Sequence, residues 1–401
     1  MKHVTYTSIE GNSIGYWALL AVFAGIMGLA GLSFYAMEHY GHHISGMNNQ
    51  IVWGLPHVFA VFLIVAASGA LNVASIASVF GKKLYKPLGR LSALLALTLL
   101  AGGLAVLVLD LGRPDRLIIA MTYYNFKSIF AWNIILYNGF FVVVAVYIWT
   151  MMERSKNKYT HAAGTAAFIW RLILTTGTGS IFGFLVARQA YDAAIMAPMF
   201  VVMSFSFGLA IFLLVLMAAY AWTGRQLGDA VFNRLKNLLG VFVAGVLYFL
   251  LAFHLTNLYA TEHHGVEAFI LMNGGFYTQL FWIGVVGIGS LLPLAIFYSP
   301  MGRSRTLVAI GALMVIFGGL SLVYTIIIGG QAYPLQLFPG KEVVSSFYDG
   351  VVNSYTPSIY EIGLGIGGVA LALAAVTFAI KIMPFLPESL ANADVDPHHS
   401  A

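Results

Sequence analysis

Residues 91–109 read LSALLALTLLAGGLAVLVL, nineteen consecutive positions without a charge, and Asp110-Leu111-Gly112-Arg113-Pro114 follows at once. A helix rises about 1.5 Å per residue, so this run reaches about 28 Å, close to the roughly 30 Å hydrocarbon core of a bilayer. A strand barrel would show alternating segments of about ten residues, and this run does not alternate. It reads as a membrane-spanning helix whose charged residues gather where it leaves the apolar layer.

The pattern recurs through the 401 residues. Apolar residues make up 60% and charged residues 9%, against roughly 45–50% and about 25% in a soluble domain. So few charges cannot cover a water-facing surface. Ten stretches are long enough to span: 13–36, 51–80, 91–109, 129–151, 162–186, 197–222, 238–259, 280–298, 307–328 and 359–382. The expected fold is an all-α integral membrane protein of ten transmembrane helices. The first stretch is too long, and lacks the cleavage flank, for a removable signal peptide. There is no cysteine, which excludes disulfides, thiolate zinc sites, cysteine-ligated iron–sulfur clusters and covalently attached c-type haem.

Lysine and arginine set the orientation. The side holding the N-terminus carries 14 of them, and the opposite side carries five: Arg113, Arg116, Lys127, Arg188 and Lys341. Both termini are expected in the cytoplasm of a multi-pass protein of the inner (cytoplasmic) membrane. The net charge of +5 is then an orientation signal, and no nucleic-acid partner is implied. Nine acids and seven histidines (His39, His42, His43, His57, His254, His263 and His264) gather on the outer side. The chemistry faces outward.

Spans two and six open alike, Leu55-Pro56-His57 and Ala197-Pro198-Met199, each with proline near the helix start, where it is tolerated. Read as a repeat, this gives two four-helix bundles, spans two to five and six to nine, with spans one and ten peripheral; read otherwise, it is coincidence in apolar sequence. The organisation expected is 1–50 as a peripheral helix and outer loop, 51–196 and 197–328 as the bundles, and 329–401 as a long outer loop, last helix and cytoplasmic tail. The outer loop is a candidate cap or docking surface, and the polar tail past Pro387 is expected to be disordered.

Ionisable groups within a bilayer are costly and point to function. Asp110 and Arg113, three apart at the end of span three, are neighbours on a helix surface, and the arginine is expected to keep the carboxylate ionised. His57 lies just inside span two, and Tyr123, Tyr124 and Asn125 precede span four. Histidine, carboxylate, arginine and tyrosine thus meet at one depth. A quinone is an apolar ring with two carbonyls whose reduction moves two electrons and two protons. An imidazole can hydrogen-bond a carbonyl and a carboxylate can relay a proton. The candidate catalytic residues are His57, Asp110 and Arg113. The candidate quinone-binding set adds Trp53, Tyr124 and Asn125. The plainer alternative is that Asp110 and Arg113 tie off a helix end and His57 is an interface histidine; a solvated loop is the plain account of His39, His42 and His43.

The run Leu109-Asp110-Leu111-Gly112-Arg113-Pro114, the Asn125-Phe126-Lys127-Ser128 start to span four and the Pro56-His57 start to span two resemble the NrfD/polysulfide-reductase membrane-subunit family, in its ten-helix branch. Within it, the chain most resembles the membrane subunit of the sulfite-reductase-associated transmembrane complex of sulfur-metabolising prokaryotes, with the hydrogenase-associated member close behind. The motif resemblance covers residues 51–145; beyond them only topology agrees. It implies a subunit that exchanges electrons between membrane quinone (menaquinone or ubiquinone) and an extracytoplasmic ferredoxin-like iron–sulfur partner, within a complex whose further subunits include cytochromes as candidates. It implies no haem or cluster in this protein, and catalysis only as part of an oxidoreductase complex. The family's quinone-site roles fall on His57, Asp110 and Arg113, with weaker support at Asn125, Arg188, Tyr191 and Asp192.

Other polar positions leave alternatives open. Arg171, Thr175 and Thr178 share a face of span five and read either as a proton half-channel or as an arginine paired inside the bundle. Glu38 and His254 complete the proton-path candidates, and His254 is equally an interface histidine. Asn72, Asn133 and Asn138 read as interhelical hydrogen bonds. Two rival functions remain: a secondary transporter, for which no pair of interrupted helices is legible, and a b-type haem subunit using His57 and His254.

Overall fold

The computed structural model describes residues 4–335 and 350–396. All ten expected spans are helices: α1 Ile14–Tyr40, α2 Leu55–Ser78, α3 Gly89–Leu109, α4 Ile129–Met152, α5 Thr160–Gly183, α6 Met196–Thr223, α7 Asp229–Tyr259, α8 Phe276–Tyr298, α9 Arg305–Ala332 and α10 Ile359–Ile382. Among the described residues, nine are both long and apolar enough to cross a membrane. The tenth, α5, is 24 residues long and packs along α4 and α6. Its Arg171, Thr175, Thr178 and Ser180 are buried, so its polarity is turned into the protein.

Helices α2–α5 pack in a ring, α2 on α3, α3 on α4, α4 on α5 and α5 back on α2; α6–α9 form a second ring in the same order. The rings meet where α2 crosses α6, the two helices that open with proline. Glycine makes that crossing close: a Cβ at Gly69 would lie 1.5 Å from the Ser204 carbonyl oxygen. Small residues at such crossings let backbones approach without a hydrophobic drive between helices. Outside the rings, α10 lies on α3 and α2, and α1 lies on α10.

Three helices are irregular. In α2 the helix breaks at Leu71, and Ser92 is the cause: its hydroxyl accepts from the Ala74 amide at 3.0 Å and donates to the Ala70 carbonyl at 2.7 Å. A side chain inserted into the i→i−4 ladder interrupts it. The sequence alone shows no sign of this interruption. In α8, Leu280–Leu291 winds as a π-helix, as do Thr325–Gly329 of α9 and the short segment Phe269–Asn273 between α7 and α8. Such turns are rare and concentrate at functional sites.

At the end holding the termini, Tyr6–Thr7 pairs antiparallel with Leu386–Pro387. Arg225 donates to Ser8 and Pro387 carbonyls. The tail up to Asp396 is ordered, contrary to expectation. Leu390 and Val395 are fully buried, and the Leu390 carbonyl accepts from Gly228 at 2.8 Å. Two apolar side chains in a polar segment suffice to dock it. The stretch 336–349 of the outer loop and the last five residues lie outside the described residues, so the cap expected in that loop does too.

Candidate functional site

The opposite end, where α1 finishes and α2 begins, holds the candidate site. The start of α2 is held by segments distant in sequence. The Gln331 carboxamide oxygen accepts from the Val52 and Trp53 amides at 3.0 Å each, and its nitrogen donates to the Trp53 carbonyl. The Tyr355 hydroxyl accepts from the Leu55 amide at 2.7 Å and donates to Glu361 at 2.7 Å. Burial, then the hydrogen bond to Glu361, pushes the Tyr355 phenol well above its usual range. The other Glu361 oxygen accepts from the Gly46 and Ser358 amides. The amides at the start of α2, which lack intrahelical partners, are thus satisfied by α9 and by the segment that opens α10.

On this support His57 stands in the first turn of α2, and its Nδ1 lies 3.0 Å from Asp110 Oδ2. Asp110 caps α3, donating its amide to Val106. The carboxylate is 1% exposed and the imidazole 21%. The separation is that of an ion pair, but the ring nitrogen is misaligned for a hydrogen bond, and both carboxylate oxygens are buried without a donor among the described residues. A buried charge without full hydrogen bonding is expensive. The site has unmet demand for a proton or a donor. Trp53 stacks near His57 at 6.2 Å and contacts Phe130 and Phe182 edge-on, which adds an aromatic wall from α4 and α5.

Arg113 does not join the pair. Because α3 stops at Asp110 and Gly112 takes a left-handed turn at φ 70, the three-residue spacing is not helical. Arg113 instead makes a bidentate contact with Asp115, at 3.0 and 2.9 Å, with both side chains about 60% exposed. That contact raises the guanidinium's pKa and lowers the Asp115 carboxyl's. We expect Arg113→Gln to change quinol-dependent turnover of the assembled complex less than about twofold, since an exposed ion pair contributes little. A tenfold loss in steady-state assays would show that Arg113 reaches the reacting groups.

The remaining candidates are dispersed. Asn125 turns its carboxamide to the Lys127 amide, and Tyr124 packs on Phe126; neither contacts the His57–Asp110 pair. Glu38 is exposed. Arg188 bonds the Gln331 and Gln50 carbonyls, burial lowering its pKa, and Tyr191 bonds Ile327. Both are ties between loops and α9. Asp192 is exposed at φ 39. His42, expected in a solvated loop, is half-buried, and a Cβ on Gly112 would lie 3.1 Å from its buried Nε2. It therefore covers the end of α3. His39 and His43 are exposed.

Deeper in the ring, Arg171 is 1% exposed and donates to the Asn72 carboxamide at 2.8 Å. Its guanidinium lies 4.9 and 5.0 Å from the Phe168 and Phe205 rings. The Thr175 hydroxyl bonds Ser68, and Thr178 approaches Asn133, which also bonds the Gly177 carbonyl. Asn138 bonds its own helix and is exposed. The seam between α2, α4 and α5 is thus tied by Asn72 and Asn133. Gln331, Tyr355, Phe130 and Phe182 were not legible as site residues. Ser358 and Glu361 form a capping box at the start of α10, a spacing that marks a helix start and not a site.

Residues 43–334 match the family model described as Polysulphide reductase, NrfD. The protein belongs to that family. This NrfD-family protein is 29% identical to the Hdr-like menaquinol oxidoreductase integral membrane subunit of Archaeoglobus fulgidus, over 96% of its own length and 97% of the relative. It is 23% identical to the C subunit of the selenate reductase of Mesobacillus selenatarsenatis, over 92% and 93%. It is 26% identical to protein NrfD of Escherichia coli, over 70% of its own length and 96% of that protein. The similarity to the first two covers more of the protein than the family match does.

Proposed function

We propose that this protein is the quinone-interacting membrane subunit of a multi-subunit respiratory oxidoreductase, with its quinone site at His57 and Asp110. The observation that carries the reading is the buried pair itself: a carboxylate with no hydrogen-bond donor among the described residues, 3.0 Å from a partly exposed imidazole, beneath an aromatic wall. A quinol hydroxyl is a donor, and its ring is apolar, so the residues present fit the group. On oxidation a quinol supplies two electrons and two protons. His57 would accept a proton at its exposed edge, and Asp110 would stabilise the resulting imidazolium or take the proton onward.

The names of the relatives support membrane subunits of oxidoreductase complexes, and the Archaeoglobus subunit's name favours menaquinone. Absence of cysteine leaves electron carriage to a partner, which we place outside the cytoplasm as a ferredoxin-like iron–sulfur subunit, because the site lies on the lysine- and arginine-poor side. The resemblance to sulfur-metabolising complexes favours a sulfur-linked substrate for the whole assembly. Both termini are then cytoplasmic.

The test is equilibrium binding of a soluble menaquinol analogue to the purified protein. We expect His57→Leu to weaken binding at least about tenfold, the free-energy equivalent of one lost hydrogen bond. Equal affinity would remove His57 from the site. A stoichiometric Soret band lost in the same variant would establish the haem reading in its place.

A further inference from the structure

The second ring holds a buried acid–base pair of its own. Glu267 is 2% exposed on the short helix His264–Ala268, which folds back after α7. Its Oε2 lies 2.7 Å from His254 Nδ1, and its Oε1 accepts from the Asn257 carboxamide at 2.8 Å. The His254 ring is held edge-on between Phe253 and Phe281, at 5.1 and 4.8 Å. Both carboxylate oxygens are satisfied, unlike those of Asp110.

The pair faces a cavity of about 30 Å³, otherwise walled by Met196, Met199, Leu322 and Thr325 among others. A water needs roughly 10–15 Å³ of such space, so the cavity takes about two waters. It is far short of the roughly 300–1,000 Å³ of a pocket for an organic ligand. Beyond Leu322 lies a second cavity of about 10 Å³, with the hydroxyl-bearing Ser206 and Ser290 in its lining. Between them the walls include the π-helical stretches Leu280–Leu291 and Thr325–Gly329. The Ser290 hydroxyl donates to the Val285 carbonyl five residues back.

We propose that His254 and Glu267 form a proton-exchange site, separate from the quinone site, that takes up one proton from water and passes it toward the serine-lined cavity. A structural tie alone would be served by a cation of fixed charge. Histidine instead changes charge near neutrality, and ionisable residues inside membrane proteins mark proton relays. One proton enters: the pair passes from carboxylate with neutral imidazole to a singly protonated pair with the hydrogen between Nδ1 and Oε2. The same proton leaves when the pair is reset. Among the described residues lining the two cavities, only His254 and Glu267 have ionisable side chains. Nearby, His263 is engaged by the Gln189 carbonyl, His264 by the Leu258 carbonyl, and Glu262 is exposed.

The test is infrared difference spectroscopy of the intact membrane-embedded protein across a pH series, in light and heavy water. The expected result is a protonated-carboxyl band that grows on acidification, shifts in heavy water, and is lost in Glu267→Gln but kept in Asp110→Asn. His254→Gln should move its midpoint by at least about one pH unit, a tenfold change in proton affinity. Quinol-analogue binding should stay within about threefold in Glu267→Gln, which separates failure of this site from failure of the quinone site. If Glu267→Gln does not accumulate, Glu267→Asp keeps the acid, and the band should then move rather than vanish. A titrating band unaltered by every change at 267, or no titrating band beyond that of Asp110, would make the pair a fixed structural contact and overturn the proposal.

Discussion

Asp110→Asn is expected to lower quinol-dependent electron transfer through the assembled complex at least about tenfold, and about a hundredfold is what a positioned acid–base group commonly supplies. Asparagine keeps the shape and removes both the charge and the ability to take a proton. Among the described residues neither Asp110 side-chain oxygen accepts a hydrogen bond, so the substitution breaks none of those, and the α3 end is held by the backbone bond to Val106. Assembly is therefore expected to survive, as co-purification of the partner subunits would show. The loss should fall on the maximal rate more than on the half-saturating quinol concentration, because His57 and the Trp53 wall remain. Wild-type turnover in Asp110→Asn would defeat the proposed role of the pair.

Gly208→Ala destabilises the whole subunit. A methyl at Gly208 would lie 2.1 Å from the Ala70 nitrogen, 2.2 Å from the Gly69 carbonyl carbon and 2.5 Å from the Ala66 oxygen. These are backbone atoms of a facing helix and cannot rotate aside, so α2 and α6 must part. Overpacking a core costs about 1–3 kcal/mol even where side chains can move. At roughly 2–4 °C per kcal/mol for larger domains, the midpoint of thermal unfolding in detergent should fall by at least about 5 °C. Gly208→Leu should prevent recovery of the folded protein. The matched control is Gly28→Ala on α1, where an added methyl meets nothing within 4 Å; it should unfold with the wild type. An unchanged midpoint in Gly208→Ala would mean that the rings are not joined backbone to backbone.

These effects differ in how far the sequence foretells them. Asp110 and His57 stand out because charged and polar groups next to long apolar runs are rare, and the bilayer makes them costly. Their mutual contact was within reach, since both sit at helix ends of one depth. The Asp110–Arg113 pairing was misread because a three-residue spacing means adjacency only while the helix lasts, and Gly112 reverses the chain. Glu267 escaped notice because its partner His254 is 13 residues away across a turn, a distance no periodicity links. The break in α2 depends on a single hydroxyl from α3, Ser92, and serine within an apolar run carries no such signal. Gln331 became a site residue only because α9 extends to Ala332, four positions past the apolar stretch that marks the span.

Helix α1 has an order of assembly built into it. It packs along α10 and touches little else, yet more than 300 residues separate the two in the sequence. At a synthesis rate of about 5–20 residues per second, its one substantial neighbour among the described residues emerges roughly 15–60 s later. For that interval α1 waits as a lone helix in lipid, where every backbone group must be satisfied within the helix. Its composition suits the wait: only Ala30, Ser33 and Met37 become buried later, and the Ser33 hydroxyl already donates to its own helix at Leu29. Arrival of α10 then fastens Ile9 to Ile380 and Tyr6–Thr7 to Leu386–Pro387. A polypeptide ending before residue 359 would leave the first helix inserted but unmoored, so truncation at the far end should be read out as protease access to residues 4–12.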